Sequence, residues 1–461
     1  MRSSDIERTD MPRCARWSVV QTGWLPWLSN ARTCRCAGVG ELPGPGRYNV
    51  VSMERTTTAT TRLGVGFGLL WSAATLSSFG DGVTRIAANL LAVSITRDPI
   101  AVSGLMIAQI APFLVFGLPS GAIVDRLDRR RLMVIATVVR IAMLGTVSAA
   151  VATGHASLPL LYITFFVVGC AGLVFDNASA TAIPALVAPG QLERANGRLQ
   201  ATRSVTEQLL ARPLGVALFG ITAWTPFLVD TVGLVAVAVL AGTLPATVNR
   251  RAPTATRQHL AAAVVDGARW LWRNSLVRTL TLTVGLSNIG LGAIFSLLVL
   301  IARERLGVGN TGYAVLLLAA ALGGVCGGLT APRIIAALGP GTTLRVGLLI
   351  EMASYVGMAL THSAAVAVAI LIPFSIHLSV FTTIGASLRQ TLVPFDLLGR
   401  VHSVYRLVGA TGLFLGAFLG GLLASQFGLA APFWMGLACA VVFTMAAWRK
   451  LNNHTITAAR A

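Results

Sequence analysis

From residue 64 onward the chain is a succession of apolar stretches, each close to twenty residues long. They lie at 66–94, 99–122, 132–153, 157–180, 203–224, 226–246, 276–301, 312–336, 344–361, 364–386, 403–425 and 429–448. About twenty residues of helix rise about 30 Å, the thickness of a bilayer's hydrocarbon core. A backbone crossing that core must satisfy its own N–H and C=O groups, which only helices and closed barrels achieve. The apolar character is continuous and does not alternate with period two, which selects helices over barrel strands. The expected fold is therefore an all-α membrane protein with about twelve transmembrane helices. Composition agrees: charged residues make up 11%, against roughly 25% in an ordinary soluble domain, too few to cover a surface facing water.

The basic residues are almost all arginine. Lys450 is the only lysine among 36 basic residues, and the net charge is +19. In a soluble chain such a charge would suggest nucleic acid. Here the arginines sit in short clusters between apolar stretches, with no aromatic-basic stripe, so the expected partner is the lipid bilayer and not nucleic acid. The sequence around Lys450 (Trp448-Arg-Lys-Leu451) excludes a GxxxxGK[ST] phosphate loop. Alternate connections differ sharply. One set holds Arg126, Arg129, Arg130, Arg131, Arg194, Arg198, Arg250, Arg251, Arg257, Arg269, Arg273, Arg333, Arg389, Arg400, Arg449 and Lys450; the other holds Arg97, Arg303 and Arg305. The positive-inside rule then places both termini in the cytoplasm of a multi-pass cell-membrane protein. Cys14, Cys34, Cys36, Cys170, Cys326 and Cys439 form no CxxC and the six histidines no HExxH, so no metal site or cofactor is expected.

Residues 1–62 are rich in Arg, Pro and Gly, and their Trp24–Leu28 patch is too short for a signal-peptide core. They read as a disordered cytoplasmic leader, with Met53 as an alternative start. The longest internal connection, 247–275, carries an amphipathic stretch from His259 to Asn274 with Trp270 and Trp272. It is expected to be a cytoplasmic linker whose helix lies on the membrane surface, or docks a partner.

The second half of the chain repeats the first. Gly121-Ala-Ile-Val-Asp-Arg126 follows the second stretch, and Gly328-Leu-Thr-Ala-Pro-Arg333 follows the eighth, 207 residues on. Leu186-Val-Ala-Pro-Gly-Gln-Leu-Glu-Arg194 follows the fourth, and Leu392-Val-Pro-Phe-Asp-Leu-Leu-Gly-Arg400 follows the tenth, 206 residues on. Two matches at nearly one offset, in equivalent connections, indicate two pseudo-symmetric six-helix bundles, 63–246 and 276–448, followed by a cytoplasmic tail, 449–461. Such halves enclose a central cavity that rocking exposes to either side, the design of a secondary transporter. No filter-like sequence points to a channel.

The loop Gly121-Ala-Ile-Val-Asp125-Arg126-Leu-Asp128-Arg129-Arg130-Arg131 resembles the signature of the major facilitator superfamily, Gly-x-x-x-Asp-Arg/Lys-x-Gly-Arg/Lys-Arg/Lys, with Asp128 in place of the second glycine. The resemblance extends over about 64–448. Phe79-Gly-Asp-Gly, Pro119-Ser-Gly-Ala, Phe175-Asp-Asn-Ala and Leu192-Glu-Arg-Ala-Asn-Gly are similar to the branch of macrolide, tetracycline and enterobactin exporters. It implies the major facilitator fold and an exporter. As a cytoplasmic gate, Gly121 lets helices approach closely, Asp125 accepts hydrogen bonds, and Arg126 and Arg130 reach across the interface of the halves only when that side is closed.

Charged residues within the stretches are costly in lipid and so are candidates for a substrate or proton route. Asp81 and Arg85 are four residues apart on one helix face and able to pair, as a structural ion pair or as a site. Asp176 has no oppositely charged neighbour on its helix, and the resemblance puts its span at the cavity. Glu207 and Arg212 flank Gln208 ahead of Pro213-Leu-Gly215, where exporters of this superfamily carry a helix-bending Gly-Pro-x-x-Gly-Gly. Glu207 is the first choice for proton exchange. Arg140 completes the charges of the first half together with Asp230, expected at the interface. In the second half Glu351 is expected to be structural and toward the outer third, and His377 to be a packed helix histidine. Phe295, Phe374 and Phe381 either wall the cavity or belong to the core.

These features point to proton-coupled efflux of a drug or amphipathic metabolite by alternating access, from a chain that functions as a monomer. The alternatives are a proton-coupled importer or facilitator of a small metabolite, a membrane-embedded enzyme acting on lipid-linked substrates, and the membrane subunit of an ATP-driven complex.

Overall fold

A computed structural model describes residues 63–249, 260–394 and 397–460. The expected leader at 1–62, with Met53, lies outside the described residues. Helices account for nearly all of the rest: α1 (Val65–Ile95), α2 (Pro99–Arg126), α3 (Arg129–Ala152), α4 (Leu158–Leu186), α5 (Leu192–Ser204), α6 (Arg212–Ile221), α7 (Thr225–Gly242), α8 (Leu260–Arg273), α9 (Ser275–Leu300), α10 (Asn310–Leu338), α11 (Pro340–Leu360), α12 (Ala364–Leu392), α13 (Leu398–Phe427), α14 (Ala431–Ala447) and α15 (Asn453–Arg460). α5 and α6 are one span, joined through a π-helical segment, Val205–Ala211; a second, Ile301–Arg305, extends α9. Leaving aside α8 and α15, twelve helical runs answer to the twelve apolar stretches. Among the described residues nine helices are long and apolar enough to cross a membrane by length and composition. Of the other three runs, α1 carries Asp81, Arg85 and Asn89, the fifth is interrupted, and α14 has 17 residues.

The boundaries follow from short-range chemistry. Asp98, ahead of Pro99, accepts from Ile100 N at 3.1 Å and starts α2; Asn274 accepts from Val277 N at 3.0 Å and starts α9. Asp128 accepts from Arg131 N at 2.9 Å. The departure from the signature at this position therefore supplies the N-cap of α3, a service a glycine side chain cannot give.

Successive spans alternate in direction. The connections at 96–98, 153–157, 222–224, 306–309, 361–363 and 428–430 share one end, which carries Arg97, Arg303 and Arg305. The opposite end collects the arginine clusters, so the two are called here the arginine-poor and arginine-rich ends. Helix pairing repeats between the halves: α2 packs on α4 as α10 packs on α12, α3 on α7 as α11 on α14, and α1 on the α5–α6 span as α9 on α13. One core, with Phe67, Met133, Leu144, Phe165, Phe175 and Phe227, belongs to the first half alone. The second centres on Leu297, Leu316, Leu348, Ile384 and Phe433, but also takes in Ile86, Leu90, Val93, Val102 and Val216. All five borrowed residues lie toward the arginine-poor end of their helices. There Gly421 of α13 comes so close to α2 that an added Cβ would overlap Ser103 Oγ and lie 3.2 Å from the Pro99 carbonyl oxygen, and Arg97 faces Glu304 at 3.9 Å.

Two segments depart from expectation. Part of the apolar face of α8 is taken up by protein instead of membrane: Leu271 is buried with Val277, Val401 and Val404, and Asp266 pairs with Arg400 at 3.3 Å, while Trp272 stays exposed. Within the expected tail 449–461, Asn453–Arg460 form α15. Asn453 Oδ1 accepts from Gly341 N at 2.6 Å and Thr342 N at 3.2 Å, capping α11, and Leu451 and Ile456 are fully buried.

Candidate functional site

The mid-depth charges of the first half converge on α1. Gly82 and Gly215 let α1 and the fifth span touch backbone to backbone: a Cβ at Gly82 would lie 2.9 Å from the Glu207 carbonyl oxygen, and one at Gly215 2.7 Å from that of Val83. Pro213 has no N–H to donate to the carbonyl four residues back, and the turns before it are wound as π. Glu207 sits in this segment. Its Oε1 accepts from Arg85 Nη1 at 2.8 Å, with both side chains partly exposed.

About one turn back on α1, Asp81 Oδ1 accepts from Arg140 Nη2 at 2.5 Å. Arg140 is buried, its side chain 1% exposed against 31% for Asp81, and also donates to Ser77 Oγ at 2.7 Å. Asp230 of α7 is buried on Gly80 and accepts from Thr84 Oγ1 at 3.2 Å. Asp176 of α4 pairs with Arg203 of α5. Arg212 has no hydrogen bond or ion pair among the described residues and lies within electrostatic range of Arg85, Glu207 and Tyr313 of α10. Three acids thus pair with three arginines (Asp81 with Arg140, Glu207 with Arg85, Asp176 with Arg203), which makes these charges tolerable at this depth, while Asp230 is held by a hydroxyl.

This corrects several expectations. Asp81 and Arg85 do not pair with each other; each takes a partner from another helix. An exposed i,i+4 pair gains only a few tenths of a kcal/mol, whereas α3 and the fifth span bring partners to partly desolvated positions. Asp176, without a partner on its own helix, finds Arg203 on another. Asp230 is not interfacial, because Gly80 leaves room for its carboxylate inside the bundle. Glu351 lies in the middle of α11, not the outer third. It is 2% exposed and meets Ser287 Oγ at 2.5 Å, Tyr355 OH at 3.0 Å and His377 Nε2 at 3.4 Å. His377 thus packs between α11 and α12, and Phe374 and Phe381 are in the core, with Phe295 packed against it. Tyr355→Phe, which removes one of three bonds to a buried carboxylate, is expected to lower stability by about 1–2 kcal/mol, read as a lower Tm in detergent.

Of the expected gate, the side chains of Gly121, Asp125 and Arg126 lie outside the description. Arg130 has no ion pair or hydrogen bond among the described residues, and its neighbour Arg129 donates to the Val248 carbonyl at 3.0 Å.

Sequence reasoning passed over Arg203, His402, Tyr405 and Arg406, and counted Arg389 only as a charge of a connection. On α13, His402, Tyr405 and Arg406 share one face. The Arg389 guanidinium lies 3.6 Å from the centroid of the Tyr405 ring, and that of Arg406 lies 4.8 Å from the ring of Phe113 on α2. The signal was available for Arg406, a lone arginine inside the apolar stretch 403–425.

Two bundles with the same helix pairing, and ion pairs at mid-depth near their seam, define a transporter of the major facilitator fold. Residues 56–458 match the family described as transmembrane secretion effector, and the chain belongs to that major facilitator family. It is 32% identical over 133 residues to an uncharacterized MFS-type transporter of Mycobacterium bovis, and equally to one of Mycobacterium tuberculosis; the match spans 28% of this chain and only 30% of the length of each relative. A bacterial homologue of the iron transporter ferroportin, 18% identical, superposes with a TM-score of 0.66 in its inward-facing state, covering 84% of this chain and 99% of that one. In its outward-facing state the score is 0.55, over 83% and 98%. The family is one of transporters, and the reading as a membrane-embedded enzyme is set aside.

Proposed function

We propose that the chain is a proton-coupled exporter of amphipathic molecules, working by alternating access, with Glu207 as the residue that exchanges the proton. The observation that carries this reading is the Glu207–Arg85 pair on the π-wound segment of the fifth span, at mid-depth and beside α10 of the other half. A carboxylate held by an arginine is kept ionised; one that loses its partner in a dry seam takes up a proton. A rocking motion that separates α1 from the fifth span would therefore couple protonation to the change of state. Asp81, Asp176 and Arg212 line the same route. The positive-inside rule puts the arginine-rich end and both termini in the cytoplasm of a cell-membrane protein. The seam packed at the arginine-poor end is then the outer one, and the higher score against an inward-facing structure is in keeping with that state. In the opposite state Asp125, Arg126 and Arg130, with Gly121 beneath them, latch the cytoplasmic side.

The test is transport by the purified chain in liposomes, under an imposed pH gradient and without ATP, of two xanthene dyes, rhodamine 6G and carboxyfluorescein. Accumulation of dye against its gradient, driven by protons, is expected. Glu207→Gln should reduce it more than tenfold while leaving exchange of dye down its own gradient within about threefold. Equal gradient-driven accumulation in wild type and variant would remove Glu207 from the coupling, and the direction of pumping relative to the protons separates export from import.

A further inference from the structure

Within the second half, a buried arginine stands without the acidic partner that Arg85, Arg140 and Arg203 have in the first, among the described residues. Arg389, near the arginine-rich end of α12, is 9% exposed, and its Nη1, beside Gly385, has no hydrogen-bond partner among the described residues. Beyond Glu351 the sequence contains a single acidic residue, Asp396, and neither Arg389 nor Arg406 forms an ion pair among the described residues. The Arg389 guanidinium lies over the Tyr405 ring, a cation–π contact that gives its N–H groups no acceptor, and an oxyanion is the group that would supply one. The Tyr405 ring in turn lies parallel to His402, centroids 6.4 Å apart. Arg406 follows on the same face of α13. It is exposed, and its contact with Phe113 of α2 turns it toward the seam between the halves and away from lipid. An arginine without an acidic partner inside a helical bundle is tolerated where water or a ligand reaches it.

Resting on the transporter reading above, we infer that Arg389 and Arg406, with His402 and Tyr405 beside them, bind the carboxylate or phosphate of the transported molecule, whose apolar part lies along Phe113. The cargo is thus an amphipathic anion. Buried Arg389, left without an acid among the described residues, destabilises the empty site, and an oxyanion that engages it together with exposed Arg406 relieves that cost.

The test is fluorescence anisotropy of carboxyfluorescein and rhodamine 6G, xanthenes of opposite charge, with the full chain in phosphatidylcholine nanodiscs and empty nanodiscs as blanks. Saturable binding of carboxyfluorescein is expected, with Kd raised about tenfold or more in R406Q and in R389Q, and within about threefold of wild type in R406K. Exposed Arg406 can be changed without disturbing the core, so R406Q keeps the test valid if R389Q fails to fold. No saturable binding of the anion, or binding indifferent to both variants, overturns the proposal. If phosphatidylglycerol added to the nanodiscs abolishes anion binding, the site belongs to lipid headgroups and the assignment to cargo falls. Binding is read at equilibrium with no gradient, so failure of proton-driven transport would leave this site standing. Gradient-driven pumping of rhodamine 6G with no binding of carboxyfluorescein would do the reverse.

Discussion

Arg140→Leu is expected to lower the stability of the protein by about 3–5 kcal/mol, because it strips one partner from a buried pair. Arg140 holds Asp81 at 2.5 Å and Ser77 at 2.7 Å, and its charge also acts on buried Asp230. Without it two carboxylates share a bundle interior with only hydroxyl donors nearby. The double variant Asp81→Leu/Arg140→Leu removes charge and counter-charge together and should recover most of that loss, since a buried ion pair replaced by apolar groups of similar size is often neutral or better. Both variants should lose transport. Thermal unfolding in detergent and uptake in liposomes separate the outcomes. If the double variant were no more stable than the single, the pair would not be what compensates Arg140. If the double variant transported normally, the network would be structural only.

A second large effect is expected at the seam. Gly421→Val puts a branched side chain where α13 meets Ser103 and the backbone of Pro99. Overpacking of this kind costs about 1–3 kcal/mol, and nearly all of it falls on the state in which the arginine-poor ends touch. The equilibrium between states should shift by roughly 5- to 150-fold. In a cysteine-free background, Val102→Cys reports the change, for Val102 is 2% exposed in this state. Labelling by an impermeant maleimide from the arginine-poor side should rise about tenfold or more when Gly421→Val is added. With Gly421→Ala the rise should be smaller, because the hydroxyl of Ser103 can rotate out of the way. Labelling that does not change would mean that this helix contact does not govern closure.

The helices were legible because lipid leaves the sequence little freedom: a run of apolar residues long enough to cross can hardly be anything else. The repeat was legible from two pairs of loop motifs, and the helix pairing follows it. The site was legible only by residue type. Asp81, Arg85, Asp176 and Glu207 stood out as charges in apolar surroundings, but their partners did not, since the only proximity a helix reveals in sequence is i to i+3 or i+4. That Arg85 reaches Glu207 depends on Gly82 of α1, which sets how near the fifth span can come, and Gly80 on another face makes room for Asp230 of α7. Pro213 was visible; the π winding it accompanies was not. Arg406 was in plain sight inside an apolar run, and its meaning became clear only once Phe113 of the other half was seen beneath it.

The capping of α11 by Asn453 has a practical consequence for anyone handling this chain. A reporter spliced in directly after Trp448 would sever the strut that Asn453, Leu451 and Ile456 form under the second bundle, and would strip Gly341 and Thr342 of their acceptor. The same reporter placed beyond Ala461 would leave that strut whole, so expression tags and truncation boundaries at this terminus are choices about folding as much as convenience.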